Sequence, residues 1–142
     1  MTKALRVVID TNVLISGLFG IQNAPSAHIL NAIRDQKIIM ITSPLILEEI
    51  REVIHRERII KLTKMTPKEQ EHFMNMLIER SEIVEGTRNM PKNSRDKKDD
   101  KFLSCALDAQ ADYIVTGDQD LLILNIYEEI PIITPREMLK KQ

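Results

Sequence analysis

Apolar residues in this chain come in two rhythms. "LRVVID" (5–10) is apolar on both faces, which suits a central parallel strand covered on each side. "KIIMIT" (37–42), "DYIVTG" (112–117) and "PIIT" (131–134) read as further strands, the last at a sheet edge, with a short one in "EIVEG" (82–86). Between them the spacing turns helical. "NVLISGLF" (12–19) begins a helix that Gly17 and Gly20 end, and "APSAHILNAIRDQK" (24–37) turns Ile29, Leu30 and Ile33 inward. "SPLILEEIREVIHRERI" (43–59) opens with Ser43 as N-cap and Pro44 in the first turn. "TPKEQEHFMNMLIERSE" (66–82) repeats that opening with Thr66 and Pro67, and "TPREMLKK" (134–141) with Thr134 and Pro135. "DKFLSCALDAQ" (100–110) is a helix, and "DLLILNIYEEI" (120–130) a short helix or turn. Strands alternating with helices predict one α/β domain over 1–142 with a parallel sheet and helical crossovers. The segment 86–98 is a polar loop.

Two of the strands end on acids. Asp10 closes the first, with Thr11 and Asn12 behind it, and "YIVTGDQD" (113–120) runs into Asp118 and Asp120. In open parallel sheets, sites lie beyond the carboxyl ends of the strands. Asp10 and Asp118 therefore share a crevice if their strands are neighbours. In the helix after Ser43, the stripe of Ile46, Leu47, Ile50, Val53 and Ile54 faces the core. Glu48 and Glu52 lie roughly opposite that stripe, and Glu49 about 100° from its centre, within reach of a crevice. In the helix after the polar loop, Asp99 falls within about 20° of the face formed by Phe102, Leu103 and Ala106, and Asp100 about 120° away. A carboxylate pointing inward at Asp99 needs a partner, whether a backbone cap, a cation or a metal ion.

Converging acids repel and raise one another's pKa, and a divalent cation resolves the conflict. Every candidate donor is an oxygen, so Mg²⁺ or Mn²⁺ fits better than zinc. Such a centre suits phosphodiester hydrolysis. A phosphatase of the haloacid-dehalogenase type needs a second Asp two positions after the first, where Asn12 stands here, and a receiver domain needs adjacent acids that are missing near Asp10.

Composition narrows the picture further. Charged residues make up 29% of the 142, and the net charge of −1 does not indicate a strongly basic nucleic-acid binder. The N-terminus lacks the form of a signal peptide and no apolar run approaches membrane-spanning length, so a cytoplasmic protein with no membrane partner is expected. The single Cys105 lies in an apolar helical pattern and reads as a small core residue. His28, His55 and His72 lack the paired spacing of a metal site and read as helix-surface residues; Met65, Met74, Met76 and the five aromatics read mostly as packing.

These motifs together resemble the PIN-domain family, in the branch described as toxin components of prokaryotic toxin–antitoxin systems. "VVIDTNVLISGLF" is similar to the family's opening strand and helix, and "SPLILEEIREVI" to its second motif, with Glu49 in the acidic position. "RDKKDDKFLSCALDAQADYIVTGDQDLLIL" is similar to the third and fourth, ending in the "TGDxDLL" signature, and "IITPREML" to the C-terminal end. Lys97 departs from the family, which commonly has Pro there. The resemblance implies a three-layer α/β/α sandwich around a mostly parallel sheet. It implies a Mg²⁺- or Mn²⁺-dependent ribonuclease site of Asp10, Glu49, Asp99 and Asp118, with Asn12, Thr116 and Asp120 supporting it. It also implies homodimers and, in toxin pairs, an antitoxin that inserts into the active-site groove. Single-stranded RNA would approach over Arg56, Arg58, Lys61 and Lys64, or over Lys92, Arg95, Lys97 and Lys98, unless these are ordinary solvated charge. The other reading is a non-catalytic RNA-binding or protein-interaction module that keeps its acids for capping or structural metal; four intact acids count against it.

Overall fold

A computed structural model describes residues 4–21, 23–86 and 99–142. Most of the polar loop and all of the second basic patch fall outside them. The elements run β1 (Leu5–Ile9), α1 (Thr11–Gly17), α2 (Pro25–Arg34), β2 (Ile38–Thr42), α3 (Pro44–Ile54), α4 (Glu57–Thr63) and α5 (Pro67–Arg80). They continue with β3 (Ser81–Ile83), α6 (Asp100–Ala109), β4 (Tyr113–Val115), α7 (Gln119–Leu122), β5 (Ile126–Tyr127), β6 (Ile130–Ile133) and α8 (Pro135–Lys141). The sheet order is β3-β2-β1-β4-β6-β5, parallel throughout except for β5 against β6.

The strands are where the unbroken apolar runs predict them, because Val7, Val8, Ile9, Met40, Ile41, Ile114 and Val115 are covered on both faces. α2 and α5 pack against β2 on one face, and α6 packs across β1, β2 and β4 on the other, with α3 beside it. Their position makes the mostly parallel sheet the middle layer of an α/β/α sandwich. α6 is buried almost all round, including Ser104 and Cys105, since it lies between sheet and helix. The predicted caps are all present. Ser43 accepts from the Ile46 amide, and Thr66 and Thr134 form reciprocal capping boxes with Glu69 and Glu137. Gly17 allows α1 and α2 to approach closely, since a Cβ there would lie 2.6 Å from Leu30 Cδ1 and 2.8 Å from the Ser26 carbonyl oxygen.

Three expectations are corrected. The helix predicted over 43–59 breaks at Arg56, which is extended (φ −67°, ψ 137°), and restarts as α4. An unbroken helix would carry Ile59 to roughly the opposite side from the Ile46–Ile50–Val53 stripe; the break lets Ile59 be buried. The "PIIT" strand is interior, flanked by β4 and β5. β5 takes the edge, from within the segment read as a short helix or turn. The third strand begins at Ser81, directly after α5, slightly ahead of its predicted start.

Candidate active site

The strand order places β1 beside β4, with chain departing to opposite sides of the pair. That is a topological switch point, where open α/β sheets have their crevice. Ile9 is in register with Val115, and the Asp10 amide donates to the Val115 carbonyl at 2.9 Å. Asp10 and Thr116 thus leave the sheet side by side. Asp10 is N-cap of α1, its Oδ1 accepting from the Asn12 amide at 3.2 Å. The Thr116 hydroxyl donates to Asp10 Oδ2 at 2.7 Å and accepts from the Asp118 amide at 3.0 Å. Asp118 in turn caps α7 by accepting from the Asp120 amide at 2.8 Å.

The other two acids come from helices. Glu49 is half-buried on α3, while Glu48 and Glu52 face solvent as the wheel predicts. Its carboxylate accepts from the Thr11 hydroxyl and pairs with Lys101, Nζ to Oε1 at 3.0 Å. Asp99, just before α6, is 4% exposed, whereas Asp100 is half-buried, in keeping with Asp99 as the inward acid. Its side chain makes no capping hydrogen bond to α6. Capping alone therefore does not account for it.

Asp10, Glu49, Asp99, Asp118 and Asn12 line one pocket of about 460 Å³, closed by Thr11, Val53, Arg56 and Phe102. Thr116 and Asp120 do not line it. Thr116 is fully buried behind the acids, and Asp120 supports Asp118 through its backbone. Three contributors were not singled out from sequence, namely Thr11, Lys101 and Phe102. Arg56, expected in a surface patch, reaches the pocket wall while paired with Glu52. A signal for Lys101 existed: a lysine in the first turn of a helix opposes the helix dipole, so its position calls for another reason.

Burial, above all, pushes the Asp10 carboxyl above its ordinary range. Hydrogen bonds from Thr116 and the Asn12 amide pull it down, and the charges of Asp118 and Glu49 push it up again. The neighbouring charges are thus the smallest influence on Asp10, behind burial and the two hydrogen bonds.

The model of the PIN domain matches residues 6–120, a span that holds all four acids and Asp120. The chain belongs to the PIN-domain family. This PIN domain is 32% identical to the uncharacterized protein MJ1680 of Methanocaldococcus jannaschii over 157 aligned positions, covering 96% of this chain and 91% of that protein. It also shares its fold with a chain of VapBC2 from Rickettsia felis, solved bound to a DNA fragment from its promoter. There the TM-score is 0.56 at 12% identity, covering 92% of this chain and 98% of that one.

The donors suit a hard divalent cation, since every acid offers oxygen. Among the described residues no three acids are grouped tightly enough to hold an ion as they stand. In this PIN domain Glu49 is held by Thr11 and Lys101, and Asp10 by Thr116. The donor chemistry fits, and binding requires the side chains to draw in.

Proposed function

We propose that this PIN domain is a Mg²⁺- or Mn²⁺-dependent endoribonuclease, a hydrolase of single-stranded RNA, and serves as the toxin of a toxin–antitoxin pair. One observation carries the reading. Acids from four separate segments line a single pocket at the switch point of the sheet. Asp10, Glu49, Asp99 and Asp118 would hold the ion, with Asp120, Asn12 and Thr116 in support. When bound, such an ion supplies Lewis-acid stabilisation of the phosphoryl oxygens and a more acidic water.

The chain's own residues contribute the rest. Asp118, half-buried beside the pocket, orients the attacking water and accepts its proton, with Asp120 fixing Asp118 through its amide. Thr116 keeps Asp10 and Asp118 in a constant relation. Asn12, exposed at the first turn of α1, is available to the RNA backbone. Arg56, Arg58, Lys61 and Lys64 are all exposed around α4, and Arg56 carries this positive edge to the pocket wall.

A cytoplasmic location, an antitoxin seated over the pocket and a homodimer belong to the same proposal. No helix among the described residues is long and apolar enough to cross a membrane. The test compares wild type with Asp10→Asn on a mixed single-stranded RNA pool, with Mn²⁺, with Mg²⁺ and with EDTA. Cleavage by wild type in metal alone, absent in EDTA and in the variant, is expected. Equal cleavage by both proteins would expose contamination.

One observation favours a second reading, a PIN fold kept as a non-catalytic RNA-binding or interaction module: both Glu49 oxygens are already engaged. Wild type that neither cleaves RNA nor binds a divalent ion in calorimetry would select it.

A further inference from the structure

We infer that Lys101 is the site's resident counter-cation and that a divalent ion enters by taking Glu49 from it, so that metal binding is an exchange of cations. The inference rests on the divalent-ion reading above. The Lys101 side chain is only 19% exposed, and its Nζ lies 3.0 Å from Glu49 Oε1. The same ammonium stands 5.2 Å from the centre of the Phe102 ring, which forms part of the pocket wall. Lys101 itself does not line the pocket, but its ammonium meets Glu49 and Phe102, which do, and has little exposure to bulk solvent.

The helix itself does not favour this placement. Lys101 lies in the first turn of α6, following Asp99 and Asp100. A cation there faces the positive end of the helix dipole, which disfavours it. Holding a lysine in one conformation also costs side-chain entropy. The compensation is the carboxylate it meets: the ammonium pairs with half-buried Glu49, in the pocket that Asp10, Asp99 and Asp118 also line.

The consequence concerns affinity. The other Glu49 oxygen accepts from Thr11, a bond that does not involve Lys101. Removing the ammonium therefore leaves Glu49 anchored to α1 while deleting a positive charge a few ångströms from the incoming dication. Even screened at close to the dielectric of water, a unit charge about 6 Å from a dication changes affinity by about tenfold, and by more where water is excluded. Lys101 is a positioning residue that sets how much metal the site demands.

The experiment titrates Mn²⁺ alone, by calorimetry, into metal-free wild type, Lys101→Met, Lys101→Arg and Asp10→Asn, and records each melting temperature in EDTA. Lys101→Met is expected to bind Mn²⁺ about tenfold more tightly than wild type and to melt lower in EDTA. Lys101→Arg, which keeps the charge, should return both values toward wild type. A role in packing alone would not give tighter binding together with lower metal-free stability. If Lys101→Met does not fold, Lys101→Gln takes its place. Equal or weaker Mn²⁺ binding by the charge-free variant, while wild type binds and Asp10→Asn does not, would overturn the exchange and leave the metal site standing. No binding by wild type or by the charge-free variant would instead remove the divalent-ion reading, and the exchange with it.

Discussion

Thr116 is the residue on which the candidate site's geometry depends most directly. It is fully buried, its hydroxyl donating to the Asp10 carboxylate and accepting from the Asp118 amide. Thr116→Val keeps the shape and removes the hydroxyl, so no cavity term enters. The loss is a hydrogen bond to a buried, charged acceptor, about 2 kcal/mol, with the Asp118 amide also left without its acceptor. For a chain of 142 residues, each kcal/mol moves the melting temperature by about 3–4 °C, so the variant should melt about 7 °C below wild type. Thr116→Ser is the control. It keeps the hydroxyl and loses one methyl group, about 1 kcal/mol. Urea titration and thermal melts at pH 7 in EDTA give both values without reference to catalysis. If Thr116→Val proves as stable as wild type, or more stable than Thr116→Ser, the hydroxyl does not bridge the two acids and the construction of the site from β1 and β4 is mistaken.

Four other outcomes are expected. Gln70 is buried and its Nε2 donates to the Ile54 carbonyl at 3.1 Å, tying α5 to the end of α3; Gln70→Leu should cost about 1–2 kcal/mol in urea, and an unchanged midpoint would count against that bond. Glu128 (φ 47°) and Glu129 (φ 69°) make the β5–β6 turn in the left-handed region without a glycine, so Glu129→Gly should stabilise by about 1 kcal/mol, and a lower melting temperature would deny the strain. The amides and hydroxyls of Thr66 and Thr134 hold Glu69 and Glu137 below their ordinary value of 4.5; their caps contribute fully above 4.5 and are lost as pH falls through the lowered folded values, so the pair of Glu→Gln changes should flatten the acid limb of melting temperature against pH, and an unaltered limb would refute it. Burial, with Asp108 and Glu82 adding to it, pushes the Cys105 thiol up to about 12; a thiol reagent at pH 8 should react only as fast as the protein unfolds, and rapid labelling of native protein would contradict this.

How legible each part was follows from the range of the interaction behind it. β1, β2 and β4 are runs of apolar residues covered on both faces, and each advertises itself within a few positions. The caps at Ser43, Thr66 and Thr134 are equally local, each a hydroxyl followed by proline. The break at Arg56 and the strand β5 carry no such mark. Arg56 turns extended with neither glycine nor proline beside it, because burying Ile59 outweighs continuing the helix. β5 is two residues long, and its return through Glu128 and Glu129 lacks the Asn-Gly signal that announces a hairpin.

The site divides along the same line. Asp10 and Asp99 were legible because a carboxylate on an inward face contradicts its surroundings, and that contradiction can be read from one strand or one helix. The convergence of Asp10 with Asp118 needed only the rule that acids at strand ends meet at a switch point, which the β1–β4 pairing satisfies. Lys101 was passed over because lysine among acids in a polar, charged stretch is what solvent-exposed sequence looks like. Its partner Glu49 lies on another helix, across the pocket and far along the chain, so the pairing exists only once α3 and α6 have packed. The dipole conflict in the first turn of α6 is nevertheless local and could have raised the question.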